Sequence, residues 1–193
     1  MAFKTVSVND WLISDVKVSE TMPTFYTESI NMKGNAEGSG LHRFNFEFSI
    51  NFRNQKDLLK WSGIMTGLRI NASPFYFDAG TDVSYMNPLS NGINNIVTLA
   101  NIVPKGAVKM NINNQGVVDI GNVFQFQGDT KLYRVTDKDN ASISFFPPAR
   151  VRSDAAQPVN FFNPKPLLRL DLGDIRIDYG STSKISLSAK EVL

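Results

Sequence analysis

At 193 residues and 42% hydrophobic side chains the chain is long enough for one large domain or two small ones, and it can bury a core without covalent staples. It has no cysteine, which excludes disulfides, thiolate chemistry and sulfur-ligated zinc and fits folding in a reducing compartment such as a cytoplasm. Twenty basic against eighteen acidic residues leave a net charge of +2, too balanced to present a broad basic field to nucleic acid or acidic lipid.

Met1 to Asp10 carry a single lysine and no apolar run, so neither a secretory signal nor a mitochondrial presequence is read there. No window approaches the length of a membrane span. Fourteen phenylalanines and long alternating stretches point to sheet. Trp11 to Val18 and Thr24 to Met32 read as strands around the turn Glu20-Thr21-Met22-Pro23. The glycine-rich Gly34 to Gly40 reads as a loop. It leads into the clearest strand, Leu41 to Phe52, in which Phe44, Phe46, Phe48, Ile50 and Phe52 alternate with Asn45, Glu47, Ser49 and Asn51.

Asn54 stands where a helix N-cap belongs, with Asp57 three residues on. The spacing of Leu58, Trp61, Ile64, Met65 and Leu68 predicts a helix of about three turns, Gln55 to Thr66, with Gly67 as its stop. Strands are then expected at Ser73 to Asp78 and at Val83 to Met86. Asn87 to Asn95 and Pro158 to Pro166 read as linkers. Between them lie five short strands: Ile96 to Leu99, Val108 to Ile112, Asn122 to Gln127, Lys131 to Thr136 and Ala141 to Phe146. Their turns fall at Gly128-Asp129 and at Asp137-Lys138-Asp139-Asn140, and the even spacing suits a small barrel of the OB kind.

Gly173-Asp174 reads as a hairpin turn that pairs Leu172 with Ile175, Asp171 with Arg176, Leu170 with Ile177, Arg169 with Asp178 and Leu168 with Tyr179. One face of that hairpin is apolar and the other carries two opposite-charge pairs. A bulge at Gly173 within one long strand preserves the same apolar phase. Ile185 and Leu187 belong to a last strand.

The search for chemistry finds little. His42 is the only histidine, so a multi-histidine metal site is excluded, and it reads as a half-exposed residue at the head of a strand. A strand, not a helix, follows the glycines at 34 to 40, against a phosphate cradle. Asp137 to Asn140 start like a calcium loop but lack its sixth-position glycine, and Pro148 stands in place of the closing glutamate. Asp171, Asp174 and Asp178 offer paired carboxylates, yet Arg176 and Arg169 are expected to engage them as surface ion pairs. Phe124, Phe126, Tyr133 and Arg134 offer the sharpest route to single-stranded nucleic acid, by base stacking on an OB-like sheet; alternating aromatics are more often core. We therefore expect no enzyme, no catalytic, cofactor-binding or metal residues and no cofactor, and the interaction residues are not legible; Phe161 and Phe162 serve as linker anchors or as subunit contacts.

The order of parts resembles a known family. An alternating strand, the helix Gln55 to Thr66 and the return strand Ser73 to Asp78 are followed by Pro104-Lys105-Gly106, Met110 to Asn114, Gly121-Asn122-Val123-Phe124 and Lys131 to Thr136, then by the closing Ile185 to Glu191. This is similar to the distal tail proteins of long-tailed siphophages, in particular those with an OB-fold insertion, and it covers most of the chain after Leu41. The resemblance implies a mainly β fold in which residues 1–95 and 164–193 make a split β-barrel, ring-forming domain with one short helix and residues 96–163 make a small inserted OB-like β-barrel domain. It implies a virion protein of the tail tip, assembled in the bacterial cytoplasm. Its expected partners are further copies of itself in a hexameric ring, the tail tube protein, the baseplate hub and the tape measure protein. A host-surface glycan is a further candidate, with no specific nucleic acid and no membrane span. The first forty residues carry no such likeness, which leaves a neighbouring baseplate or tail-tube role, such as tube initiator, open. Replacing residues 104–159 by a short bridge is expected to cost mainly loop-closure entropy.

Overall fold

The computed structural model describes residues 4–28, 34–38, 41–70, 73–80, 97–140, 142–171 and 183–192. In chain order its elements are β1 (Lys4–Ser7), β2 (Leu12–Thr21), β3 (Thr24–Glu28), β4 (Gly34–Gly38), β5 (Arg43–Phe52), α1 (Gln55–Ile70), β6 (Phe75–Asp78), β7 (Val97–Thr98), β8 (Lys109–Met110), β9 (Val123–Phe126), β10 (Tyr133–Lys138), β11 (Ile143–Phe146), β12 (Pro158–Asn160), β13 (Leu167–Leu170) and β14 (Ser183–Glu191). Among the described residues the fold is mainly β, with two curled half-barrel sheets, a two-stranded β3–β4 ribbon and one α-helix.

The first sheet runs in the order β1-β6-β13-β14-β5-β2. It is antiparallel except for the β1–β6 pair. β5 is its spine, and the period-two pattern read from sequence is the reason: Phe44, Phe46, Phe48, Ile50 and Phe52 all face inward and are buried. α1 closes the other side of this core with Leu58, Trp61, Met65 and Leu68. The helix starts as expected, with the Asp57 N–H donating to Asn54 Oδ1 at 2.8 Å. It does not stop at Gly67. An interior glycine costs a helix only ~1 kcal/mol, and continuing lets Leu68 reach the core, after which Ser73 N–H donates to the Leu68 carbonyl at 3.0 Å.

The second sheet runs β7-β12-β9-β10-β11-β8, all antiparallel. Its two end strands are drawn toward each other by a bridge between Leu99 and Ile112, flanked by hydrogen bonds from Asn113 N–H to Thr98 O and from Ala100 N–H to Asn111 O. Around Phe124 the rings of Phe126, Tyr133, Phe145 and Phe161 pack at centroid distances of 4.9–5.5 Å. Val123 and Leu132, although they lie in the second sheet's stretch of chain, pack into the core of the first sheet.

Several expectations change. The glycine loop is in part a strand: β4 pairs with β3 from Thr24↔Gly38 to Glu28↔Gly34, because a ladder needs backbone groups and the β-prone Thr-Phe-Tyr-Thr sequence of β3 supplies the template. Pro158 opens β12 instead of a linker, at the first strand position, where proline is tolerated. Asp137 and Lys138 belong to β10, past a register shift after Val135, so the turn begins at Asp139. The hairpin pairing of Leu168 with Tyr179 is not formed: Leu168 lies between Phe75 of β6 and Glu191 of β14, so both of its edges are taken. Alternation fixes which face is buried but not which neighbour provides the ladder. The remainder of that hairpin and the rival bulge at Gly173 lie outside the described residues, as do the expected strand Val83 to Met86 and the linker Asn87 to Asn95.

Candidate functional site

His42 is buried, 3% exposed, where a half-exposed position was expected. It shares the inward phase of Phe44, Phe46 and Phe48, so the alternation of β5 carries it inside one step before the strand begins. Its ring meets Phe44 and Phe146 edge-on at 4.6 and 5.4 Å. Phe124, Phe126 and Tyr133 are buried too, so these three rings are core and not a stacking platform. Arg134 forms an ion pair with Glu20 and lies over the Phe44 ring. Phe161 is buried, whereas Phe162 is 40% exposed. Asp171 forms an ion pair with Lys190 at 2.7 Å, which stands beside it because β14 pairs with β13. Asp174, Arg176 and Asp178 lie outside the described residues. Asp139 holds Lys109 in an exposed pair at 3.0 Å.

Where the two sheets meet, the structure assembles a polar seam that the sequence reading missed. Glu191, the last residue of β14, is 1% exposed. Its Oε1 accepts the Leu132 N–H at 2.7 Å, and its Oε2 accepts the Phe44 N–H at 3.2 Å together with the Lys131 ammonium. One carboxylate therefore ties β5 of the first sheet to the entry of β10 in the second. Lys131 is equally buried; burial pulls its pKa down and the Glu191 charge opposes that shift. The His42 Nδ1 lies 3.4 Å from Lys131 Nζ, and its Nε2 lies 3.1 Å from Glu20 Oε2. Beyond Lys131, Asp129 accepts the Lys131 N–H at 3.1 Å and the Tyr133 hydroxyl at 2.6 Å. The Tyr133 oxygen in turn accepts the Arg150 N–H at 3.0 Å. Burial first, and Asp129 second, push the Tyr133 pKa well above its usual value. A signal for this seam was present: Ile185, Leu187, Ala189 and Glu191 share one phase of a strand, and a charge in the apolar phase must find partners inside.

Three surface features complete the site. Among the described residues the β3–β4 ribbon is paired to neither large sheet, and every side chain of β3 is exposed, with Phe25 at 66% and Tyr26 at 64%. On the polar face of the first sheet, β2, β5, β14 and β13 border an open groove of about 710 Å³ that carries the pair Lys184–Asp15 and, at its edge, Asp171, the partner of Lys190. Salt-bridge formation with Lys184, with Ser14 adding a hydrogen bond, holds the Asp15 carboxyl below the usual range. Beside β12, a second groove of about 610 Å³ is lined by Phe126, Pro158, Val159 and Phe162 with Gln127 and Asp129 at hand. Among the described residues no three His, Asp or Glu side chains gather as metal ligands, and no helix is long and apolar enough to cross a membrane. No protein-family model matches the chain, and comparison with curated proteins gives no match.

Proposed function

We propose that this protein is a structural component of a phage tail tip, a distal tail protein that closes with further copies into a ring, six in number, between the tail tube and the hub. The observation that carries the reading is the β3–β4 ribbon. Two strands alone are marginally stable in water, and neighbouring residues of a strand point to opposite faces, so Phe25 and Tyr26 present one aromatic ring on each side of an arm that no other described strand joins. An arm of this kind gains order by packing on another surface, and packing on a different patch of the next copy is the head-to-tail contact that generates rings. Support also comes from the order of parts set out above and from the two half-barrel sheets, one of which takes strands from both ends of the described chain. Tail tube protein, hub and tape measure protein are the further partners, and the virion is the site of action after assembly in the bacterial cytoplasm. A tube initiator or tail-tube subunit is the neighbouring alternative and uses the same arm.

Native mass spectrometry of the full chain and of a variant with residues 24–38 replaced by a short glycine-serine turn tests this. The full chain, alone or with its tube partner, is expected to form a closed oligomer and the variant to remain a folded monomer. A full chain that stays monomeric at high concentration with the tube protein present overturns the reading. The second reading, an OB-like module that grips a cell-surface glycan, has the groove beside Phe162 in its favour; a glycan panel with no binder retires it.

A further inference from the structure

The seam between the sheets has a protonation state written into its hydrogen bonds. Lys131 has only donors, so the His42 Nδ1 that faces it at 3.4 Å must be the unprotonated acceptor, and Nε2–H then donates to Glu20 Oε2 at 3.1 Å. Neutral His42 with its proton on Nε2 satisfies both neighbours. An imidazolium does not: it places a second N–H donor and a like charge against a buried ammonium. The charged groups around the ring come from three elements and their flanks: Glu20 from β2, Glu191 from β14, and Lys131 and Arg134 at the start of β10. Asp129 and Arg150 lie one step further, against Lys131. The remaining walls are the Phe44 and Phe146 rings.

We propose that this seam is an acid-sensitive latch: proton uptake by His42 opposes Lys131, draws it from Glu191 and frees the second sheet from the first. Geometry gives the direction, because Lys131 and Leu132 are the second sheet's donors to Glu191 and Lys131 is the group the imidazolium repels. Burial, reinforced by Lys131 and opposed by Glu20, holds the His42 pKa below its ordinary 6.5. An unfolded or opened chain therefore takes up the proton first, and the joint weakens as pH falls from 6.5 toward the depressed folded value. Above that window the latch is fully closed. The inference does not depend on ring assembly.

Because His42 is the only histidine, its imidazole nitrogens give a single, unambiguous NMR titration in the full chain. The expected result is an Nε2–H tautomer at neutral pH and a midpoint below 6.5. The Phe44 and Leu132 amides should lose hydrogen-exchange protection within the same window, by at most about tenfold per pH unit for a single proton. The Ile50–Ile185 ladder amides keep theirs. His42→Gln retains an acceptor and a donor but cannot charge, and its two reporter amides should not respond. A midpoint at or above 6.5, reporter amides that ignore the titration, or an equal response in His42→Gln overturns the latch. Simultaneous loss of protection through both sheets replaces it with ordinary acid unfolding. If His42→Gln does not fold, the titration and exchange of the unaltered chain decide alone.

Discussion

Glu191→Ala strikes the seam at its centre, and its cost can be worked from the groups left behind. The substitution removes the partner of an ammonium that is 1% exposed, and it orphans two backbone N–H groups, those of Phe44 and Leu132. Breaking a buried ion pair from one side costs ~3–5 kcal/mol. A buried amide without an acceptor costs ~1–3 kcal/mol, but part of that is recovered where the vacated space admits water. About 5 kcal/mol is the expected total, as large as the whole stability of many domains. Lys131→Met should be milder, because Glu191 keeps both amide donors. Urea unfolding followed by two probes is the assay. Trp11 and Trp61 both belong to the first sheet's core, so tryptophan fluorescence reports that sheet while far-UV circular dichroism reports both. In Glu191→Ala the two transitions should move to lower urea and separate. A loss under about 1 kcal/mol, small beside the cost of an unpaired buried charge, would refute the reasoning, as would Lys131→Met being the more damaging of the two.

The glycine at position 80 has φ +72°, and a Cβ there would lie 2.9 Å from Val8 Cγ2, whereas Gly106 at φ +84° faces open space. Left-handed backbone alone costs an alanine ~1–2 kcal/mol, so Gly106→Ala should lose about that much and Gly80→Ala distinctly more, because the branched Val8 side chain cannot swing aside; equal urea midpoints would contradict the close approach. Truncation after Pro166 removes β13 and β14 and leaves β1–β6 and β5–β2 as separate pairs, so cooperative tryptophan unfolding should vanish; a native-like melt would refute the strand order. Replacing residues 104–159 by a short bridge should also destabilise the first sheet, contrary to the loop-entropy expectation, because it strips Val123 and Leu132 from that core and two donors from Glu191.

What could be read from the chain followed from local pattern. β5 announced itself because every second residue is large and apolar, and α1 because Leu58, Trp61, Met65 and Leu68 fall on one helical face behind the Asn54 cap. Partner choice was not local. Leu168 and Leu170 signalled a buried face equally well for a hairpin and for their actual place beside β14. β4 was hidden because its glycines contribute backbone but no side-chain pattern. The seam was hidden because its members stand at 20, 42, 131, 134 and 191, so that only folding brings them together. Phe124, Phe126 and Tyr133 are core, as alternating aromatics more often are, although period two by itself identifies a shared face without saying whether that face is wet.

The place of β14 between β13 and β5 also sets a timetable for synthesis. At ~5–20 residues per second, roughly ten seconds separate the emergence of Phe52 from that of Ser183, whose strand supplies the ladder to β5. During that interval Phe44, Phe46, Phe48 and Ile50 have β2 on one flank and nothing to complete the other. The strands from Val97 to Asn160 find all their ladder partners among themselves and need not wait. Translation thus delivers the second sheet finished while the first still exposes its most apolar strand. A nascent chain stalled before Ser183 is therefore the species for chaperones to guard, and hastening or shielding that last strand should raise the soluble yield.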